Sequence, residues 1–253
     1  MIYIKSLGIP IVFIGVPKTA SEATAKFFID NVLMEGDAAS RLRERNVNKM
    51  KKDLIDYAKD YPFDGDNPNC HTSATKAMKA GLVDPKSEFI GVIRNPIEKQ
   101  LSLYLSKTRK MNRTSPLEPP RDPLFKLGIN DFRQRVKNWS WEGVTEYQLQ
   151  SQKSFLEGAK WKTWWCYDYL EEHLYSFLTK YQIEMKVPFE SLNRSVENSG
   201  AKDFIDKFYD DETLNIVQEH LKEDIELYGK VKINLKTNGF KIAGSKSKLV
   251  GTR

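Results

Sequence analysis

Lys18, Thr19 and Ser21 stand just past the apolar run 11–16, and Arg94 closes a second apolar run, 89–93, with Asn95-Pro96 and then Ser102 behind it. These residue types suit an oxyanion. A lysine carries a mobile charge, short hydroxyls donate hydrogen bonds, and arginine presents a planar fork matched to phosphate or sulfate. Two such clusters on two strand ends predict one ligand carrying two separate anionic groups. A phosphoryl-transfer enzyme commonly places an acidic residue at the second strand end to hold Mg²⁺. Arg94 stands there instead. A Walker A loop also fails, because its motif requires a glycine directly before the lysine and Pro17 precedes Lys18.

Elements must bring these residues together. If the two apolar runs are parallel strands, both clusters fall at their C-terminal edge, where open α/β sheets bind ligands. A helix opening near Ser21 would aim its unpaired amides and positive dipole end at the turn. Pro96 suits the first turn of a helix after Arg94, and Ser102 then lies about two turns along it. Each feature has a plainer reading: Ser21 as an N-cap, Ser102 as a buried helix serine. Helices are predicted over 21–34, 38–59, 96–110, 168–181 and 211–228, and Trp164, Trp165 and Cys166 as strand residues. His71 falls near the start of another helix, after a loop rich in Pro, Gly, Asp and Asn.

The loop Pro17-Lys18-Thr19-Ala20-Ser21 resembles the PKTG(S/T)T donor loop of sulfotransferases. That family uses 3′-phosphoadenosine-5′-phosphosulfate (PAPS). Arg94-Asn95-Pro96-Ile97-Glu98-Lys99-Gln100-Leu101-Ser102-Leu103-Tyr104 resembles the family's R(D/N)PxxRxxSxY segment, whose Arg and Ser hold the donor's 3′-phosphate. The stretch 71–104 is similar to the carbohydrate-type branch, with a KHxxA-like segment ahead of the Arg strand. Cys166-Tyr167-Asp168-Tyr169-Leu170, Asn193 to Ser195 and Glu223-Asp224-Ile225-Glu226-Leu227-Tyr228 resemble its later elements. The resemblance covers roughly 10–230. It implies an α/β fold, a P-loop-like three-layer sandwich with a central, mostly parallel sheet and helices on both faces.

The resemblance implies that Lys18, Thr19, Ala20, Ser21, Glu22 and Ala23 contact the 5′-phosphosulfate side of PAPS, and Arg94 and Ser102 its 3′-phosphate. The sequence departs from the pattern at Ala20, which replaces a glycine, and at Glu22, where a threonine is common. Ala23 stands where cytosolic relatives carry a tryptophan on the adenine, and Lys99 replaces an arginine. In-line sulfuryl transfer needs a positioned acceptor hydroxyl, a base and a cation on the leaving oxygen. Lys18 is the expected cation. His71 is the expected base, since imidazole works near neutral pH and the motif match falls on it; Glu22 is the rival. No metal is expected.

A glycan hydroxyl is the expected acceptor, with a small alcohol or a protein tyrosine as alternatives within the class. Lys107, Arg109 and Lys110 precede the proline-rich stretch 111–123, Arg113 lies within it, and the four are expected to hold an anionic acceptor. Trp139, Trp141, Trp161, Trp164 and Trp165 are either sugar platforms or core. Two other function classes stand beside the enzyme: a P-loop-like nucleotide kinase, and a non-catalytic nucleotide-binding relative of the sulfotransferase fold.

Composition agrees with a globular chain. Its 253 residues are 40% hydrophobic, enough for one core-bearing domain over 1–237, with a basic, Gly/Ser/Lys-rich tail over 238–253. The net charge of +6 suits an anionic donor. Arg41, Arg43, Arg45, Lys49, Lys51 and Lys52 lack interleaved aromatics, so a solvated helix face is expected and no nucleic-acid partner. Two cysteines suggest no disulfide framework. No apolar run reaches a membrane span, and a cytoplasmic setting with no membrane partner is expected.

Overall fold

In the computed structural model the described residues are 1–33, 71–111, 123–141, 144, 146–189 and 204–237. Four strands, β1 (Ile2–Ile4), β2 (Ile11–Ile14), β3 (Glu88–Ile93) and β4 (Trp161–Cys166), form one sheet in the order β1-β2-β3-β4. β1 runs antiparallel to β2, and the other pairs are parallel, with Ile14 opposite Gly91 and Ile93 opposite Cys166. The chain is therefore α/β with an open, mostly parallel sheet.

Alternation along the strands divides the core. Ile11 and Phe13 of β2, Ile90 and Val92 of β3 and Trp165 of β4 bury one face under helices α1 (Ser21–Asn31) and α6 (Leu170–Lys180). Val12, Ile14, Phe89 and Trp164 bury the other face under α2 (Ala74–Lys79) and a short 3₁₀ turn, Lys153–Leu156. Helical elements thus cover both faces. Gly91 permits the close approach on the second face, because a Cβ there would sit 2.8 Å from the Trp164 ring.

A second core is built from helices and the residues that flank them. Helices α3 (Pro96–Met111), α4 (Pro123–Lys137), α7 (Ile205–Phe208) and α8 (Asp211–His220) surround Phe132, which meets Tyr104, Trp141, Phe208 and Tyr209 edge-on. α5 (Glu146–Leu149) leads into the 3₁₀ turn, and α9 (Lys222–Thr237) packs Val231 against Ile93 and Cys166 at the sheet edge.

Several expectations change in detail. The helix expected over 211–228 divides at buried Leu221, which takes non-helical angles (φ −108°, ψ 21°) and sends α9 off to run on to Thr237. β1 was not anticipated. Its three residues are β-formers closed by a turn with Gly8 at φ 75°, but so short a run has no periodicity to detect. The expected helix 38–59, most of the proline-rich stretch, Arg113, Cys70 and the tail 238–253 lie outside the described residues, as do the side chains of Lys107, Arg109 and Lys110, which fall on α3.

His173 stands in the charged sequence Glu171-Glu172-His173, which predicts a solvated helix residue; in the structure it is a core residue. The face of α6 that carries Leu170, Leu174 and Phe177 also carries His173, which lies flat against Trp165 with ring centroids 5.6 Å apart. Its Nε2 accepts the Cys166 amide at 3.1 Å, and burial pushes the imidazole down to about 4. The unfolded chain therefore binds a proton between about pH 6.5 and 4 that the folded chain refuses, so stability falls as pH drops through that window. At most about 3 kcal/mol is at stake. In urea melts, His173→Gln, whose amide oxygen can still accept from Cys166, should lose most of the difference between pH 7 and pH 4.5. An unchanged difference would assign it to other groups. His220 is exposed but stacked on Trp139, with centroids 3.8 Å apart.

Candidate functional site

The C-terminal ends of β2, β3 and β4 meet through one side chain. Arg94 follows the last residue of β3, and its Nη1 donates to the Lys18 carbonyl in the loop after β2 at 3.2 Å. The same guanidinium lies 4.5 Å from the centroid of Tyr167, the residue after β4. Its Nε faces Glu98, one turn into α3, at 3.4 Å. The side chains of Arg94 and Glu98 are only 8% and 9% exposed, so each is the other's charge partner out of water. Removing either alone would strand a buried charge, at a cost of about 3–5 kcal/mol.

The loop between β2 and α1 turns sharply. Lys18 and Ala20 both take positive φ, 66° and 58°, where a Cβ crowds the following carbonyl. Thr19, fully buried, donates its hydroxyl to the Val16 carbonyl at 2.8 Å and so braces the loop from inside. Ala20 is the N-cap of α1 and has no side-chain oxygen to offer. By helix geometry the amides of Ser21, Glu22 and Ala23 have no partner within α1, the arrangement that favours an anion. Ser21 and Ala23 are buried, and the Glu22 side chain lies outside what the structure describes.

Left-handed backbone at two non-glycine residues stores strain in this loop. Ala20→Gly would relieve about 1 kcal/mol of it while loosening the unfolded chain by nearly as much. Urea midpoints should therefore move little for Ala20→Gly, whereas Ala20→Val, β-branched at positive φ, should lower the midpoint clearly. A tolerated valine would show that the loop is not held in this conformation.

His71 reaches the same loop from the start of α2. Its Nδ1 lies 2.6 Å from the Gly15 carbonyl, which can only accept, so Nδ1 carries the proton and Nε2 the lone pair of the neutral ring. Ser102 is buried on α3, two turns beyond Arg94, with Glu98 at the intervening turn. The structure thus brings Lys18, Thr19, Ala20, Arg94 and His71 to one edge. Ser102 is buried within the helix packing of α3.

Two groups that sequence reasoning missed hold this edge. Gln152, fully buried, accepts the Arg94 amide on Oε1 at 3.0 Å and donates from Nε2 to the Arg94 carbonyl at 2.9 Å. Asp224 of α9, 1% exposed, accepts from the Gln152 amide at 2.7 Å, the Lys153 amide at 3.0 Å and the Ser151 hydroxyl at 2.5 Å. Buried Lys99 donates from Nζ to the Gln150 carbonyl at 3.1 Å; burial pushes it down to about 8, against the opposing pull of the Asp224 charge. Neither Gln152 nor Asp224 sits in a pattern that announces chemistry. Asp224 lies in the segment 223–228, whose spacing alone gave no hint of a cap on a distant turn.

The five tryptophans do not line the edge as sugar platforms. Trp165 and Trp141 are buried in the two cores, Trp164 covers Gly91, and Trp139 carries His220. Trp161 is 56% exposed, but it opens β4 and so lies at the opposite edge of the sheet. At the end of β4, Asp168 accepts from the Tyr228 hydroxyl at 2.6 Å and from Lys232 Nζ at 3.0 Å. Cys166 is buried, and its thiol is pushed up to about 11, which keeps it protonated.

No family model and no curated protein matches this chain. Among the described residues no group of His, Cys, Asp and Glu side chains is gathered to hold a metal ion, and no helix is long and apolar enough to cross a membrane.

Proposed function

We propose that the protein is a sulfotransferase that moves the sulfuryl group of PAPS to an acceptor hydroxyl, most readily one on a carbohydrate. One observation carries the reading: a strained, lysine-bearing loop at an uncapped helix N-terminus, tied by Arg94 to the neighbouring strand end. That juxtaposition is what a P-loop-like donor site requires, with cations and backbone amides gathered at a parallel sheet edge. In this reading Lys18 and the amides of residues 21–23 receive the 5′-phosphosulfate, and Arg94 and Ser102 the 3′-phosphate. His71 accepts the acceptor's proton as the acceptor oxygen bonds to sulfur. The bond from sulfur to the 5′-phosphate oxygen breaks, and Lys18 stabilises the charge left there.

Incubation with PAPS labelled in its sulfuryl group, over a panel of polysaccharides, small alcohols and tyrosine peptides, with and without EDTA, tests the reading. Label on a polysaccharide regardless of EDTA is expected. Nucleotide binding without transfer to any acceptor would overturn catalysis. It would favour the second reading, a non-catalytic nucleotide-binding relative, which the buried Arg94–Glu98 pair supports because that pair already balances the arginine's charge. Transfer of a phosphoryl group from a Mg²⁺ nucleotide would favour a kinase.

A further inference from the structure

Beyond the last β2–β3 pairing, Ile14 with Gly91, the end of β3 has lost its β2 neighbour, because the chain of β2 has turned away into the Lys18 loop. Arg94 nevertheless has both backbone groups satisfied, and by a side chain. The Gln152 amide answers its N–H and its C=O together, as a neighbouring strand residue would. Gln152 is itself fixed by Asp224, whose carboxylate caps the start of the 3₁₀ turn through three donors. From Asp224 to Gln152 to Arg94 to the Lys18 carbonyl, every link is a hydrogen bond of 3.2 Å or less, and the first three residues are buried.

We infer that Gln152, locked by Asp224, is a positioning residue that sets the place of the Arg94 guanidinium beneath the donor loop. This rests on the reading of that loop and Arg94 as an anion site. A glutamine is suited to the task because it both donates and accepts, whereas glutamate would set a carboxylate against the Arg94 carbonyl and methionine would answer neither group. The buried Asp224 does for the turn what an N-cap does for a helix. Through Gln152 it makes the seating of α9 a determinant of the site.

The test is a double-mutant cycle on adenosine 3′,5′-bisphosphate binding, read by calorimetry, using Gln152→Met or Gln152→Glu against Arg94→Lys. Arg94→Lys keeps the charge beside Glu98 while losing the fork. The expected result is roughly a tenfold loss for each single variant and no further loss in the double variant, the non-additivity of groups acting as one unit. A merely structural glutamine would lower thermal stability and give additive or no losses in affinity; that outcome overturns the inference and leaves the donor reading standing. Wild-type protein that binds no bisphosphate overturns the donor reading, and the inference with it. Should both Gln152 variants fail to fold, the wild-type protein decides. The Gln152 side-chain amide resonances should shift on adding the bisphosphate and not with adenosine 5′-phosphate, and unmoved resonances overturn the proposal.

Discussion

If the proposed sulfuryl transfer is this protein's reaction, Lys18→Ala should lower its rate by on the order of 10²–10³-fold, the range found when one donor is taken from a developing oxyanion. The affinity for the 3′,5′-bisphosphate product should fall far less. The asymmetry follows from the placement of the lysine. Its main chain is held at φ 66° with its carbonyl bonded to Arg94, so the loop is fixed by its backbone and by Thr19, and truncation removes the ammonium without removing the fold of the loop. An ammonium that acts on charge appearing only as the sulfur–oxygen bond breaks lowers turnover selectively. Lys18→Arg keeps the charge but spreads it over a rigid plane, and should recover only part of the rate. Pre-steady-state transfer alongside product calorimetry separates the two quantities. Equal losses in rate and product affinity would make Lys18 a ground-state binder and remove it from the chemical step.

Arg94 illustrates how far the sequence could be followed. Its position after an apolar strand, the proline two residues on and the lysine loop on another strand were enough to place both groups at one edge of a parallel sheet. The strands at 11–14 and 88–93 and the helix from Pro96 appear where the apolar runs and Pro96 put them. What could not be read was how the arginine is used. Its contacts come from residue 18, from Tyr167 across the sheet, and from Gln152, which is 58 residues away in sequence. Gln152 has no periodic or motif signature, because a single side chain satisfying one unpaired backbone residue leaves no pattern. The motifs that hold Lys18 and Tyr167 do not announce their contacts with Arg94. Glu98 was legible only as a helix residue, and its role as the arginine's counter-charge needed the α3 geometry. His173 was misjudged for a related reason. The glutamates at 171 and 172 made its surroundings look charged, while the 3.6-residue period turns it inward with Leu170, Leu174 and Phe177.

His71 poses the sharpest choice, since a histidine bonded to a loop carbonyl is either a base or a strut. The Gly15 carbonyl takes the Nδ1 proton at 2.6 Å, which orients the ring and leaves Nε2 as the basic nitrogen, so the same contact serves both roles. Substitution by asparagine separates them, because its amide can still donate toward Gly15 but offers no basic nitrogen. If His71 is the base, His71→Asn and His71→Ala should both lose on the order of 10²-fold or more in turnover. Affinity for the 3′,5′-bisphosphate should stay nearly intact, and the acidic limb of the pH–rate profile should flatten, because a base acts only when unprotonated. If His71 is a strut, His71→Asn should restore turnover and loop stability together, and only His71→Ala should fail. Glu22→Gln completes the comparison, because the carboxylate follows the donor loop directly and is the other group able to take the proton. Loss of activity in Glu22→Gln with near-full activity in His71→Asn would move the base to α1 and leave His71 the task of holding Gly15.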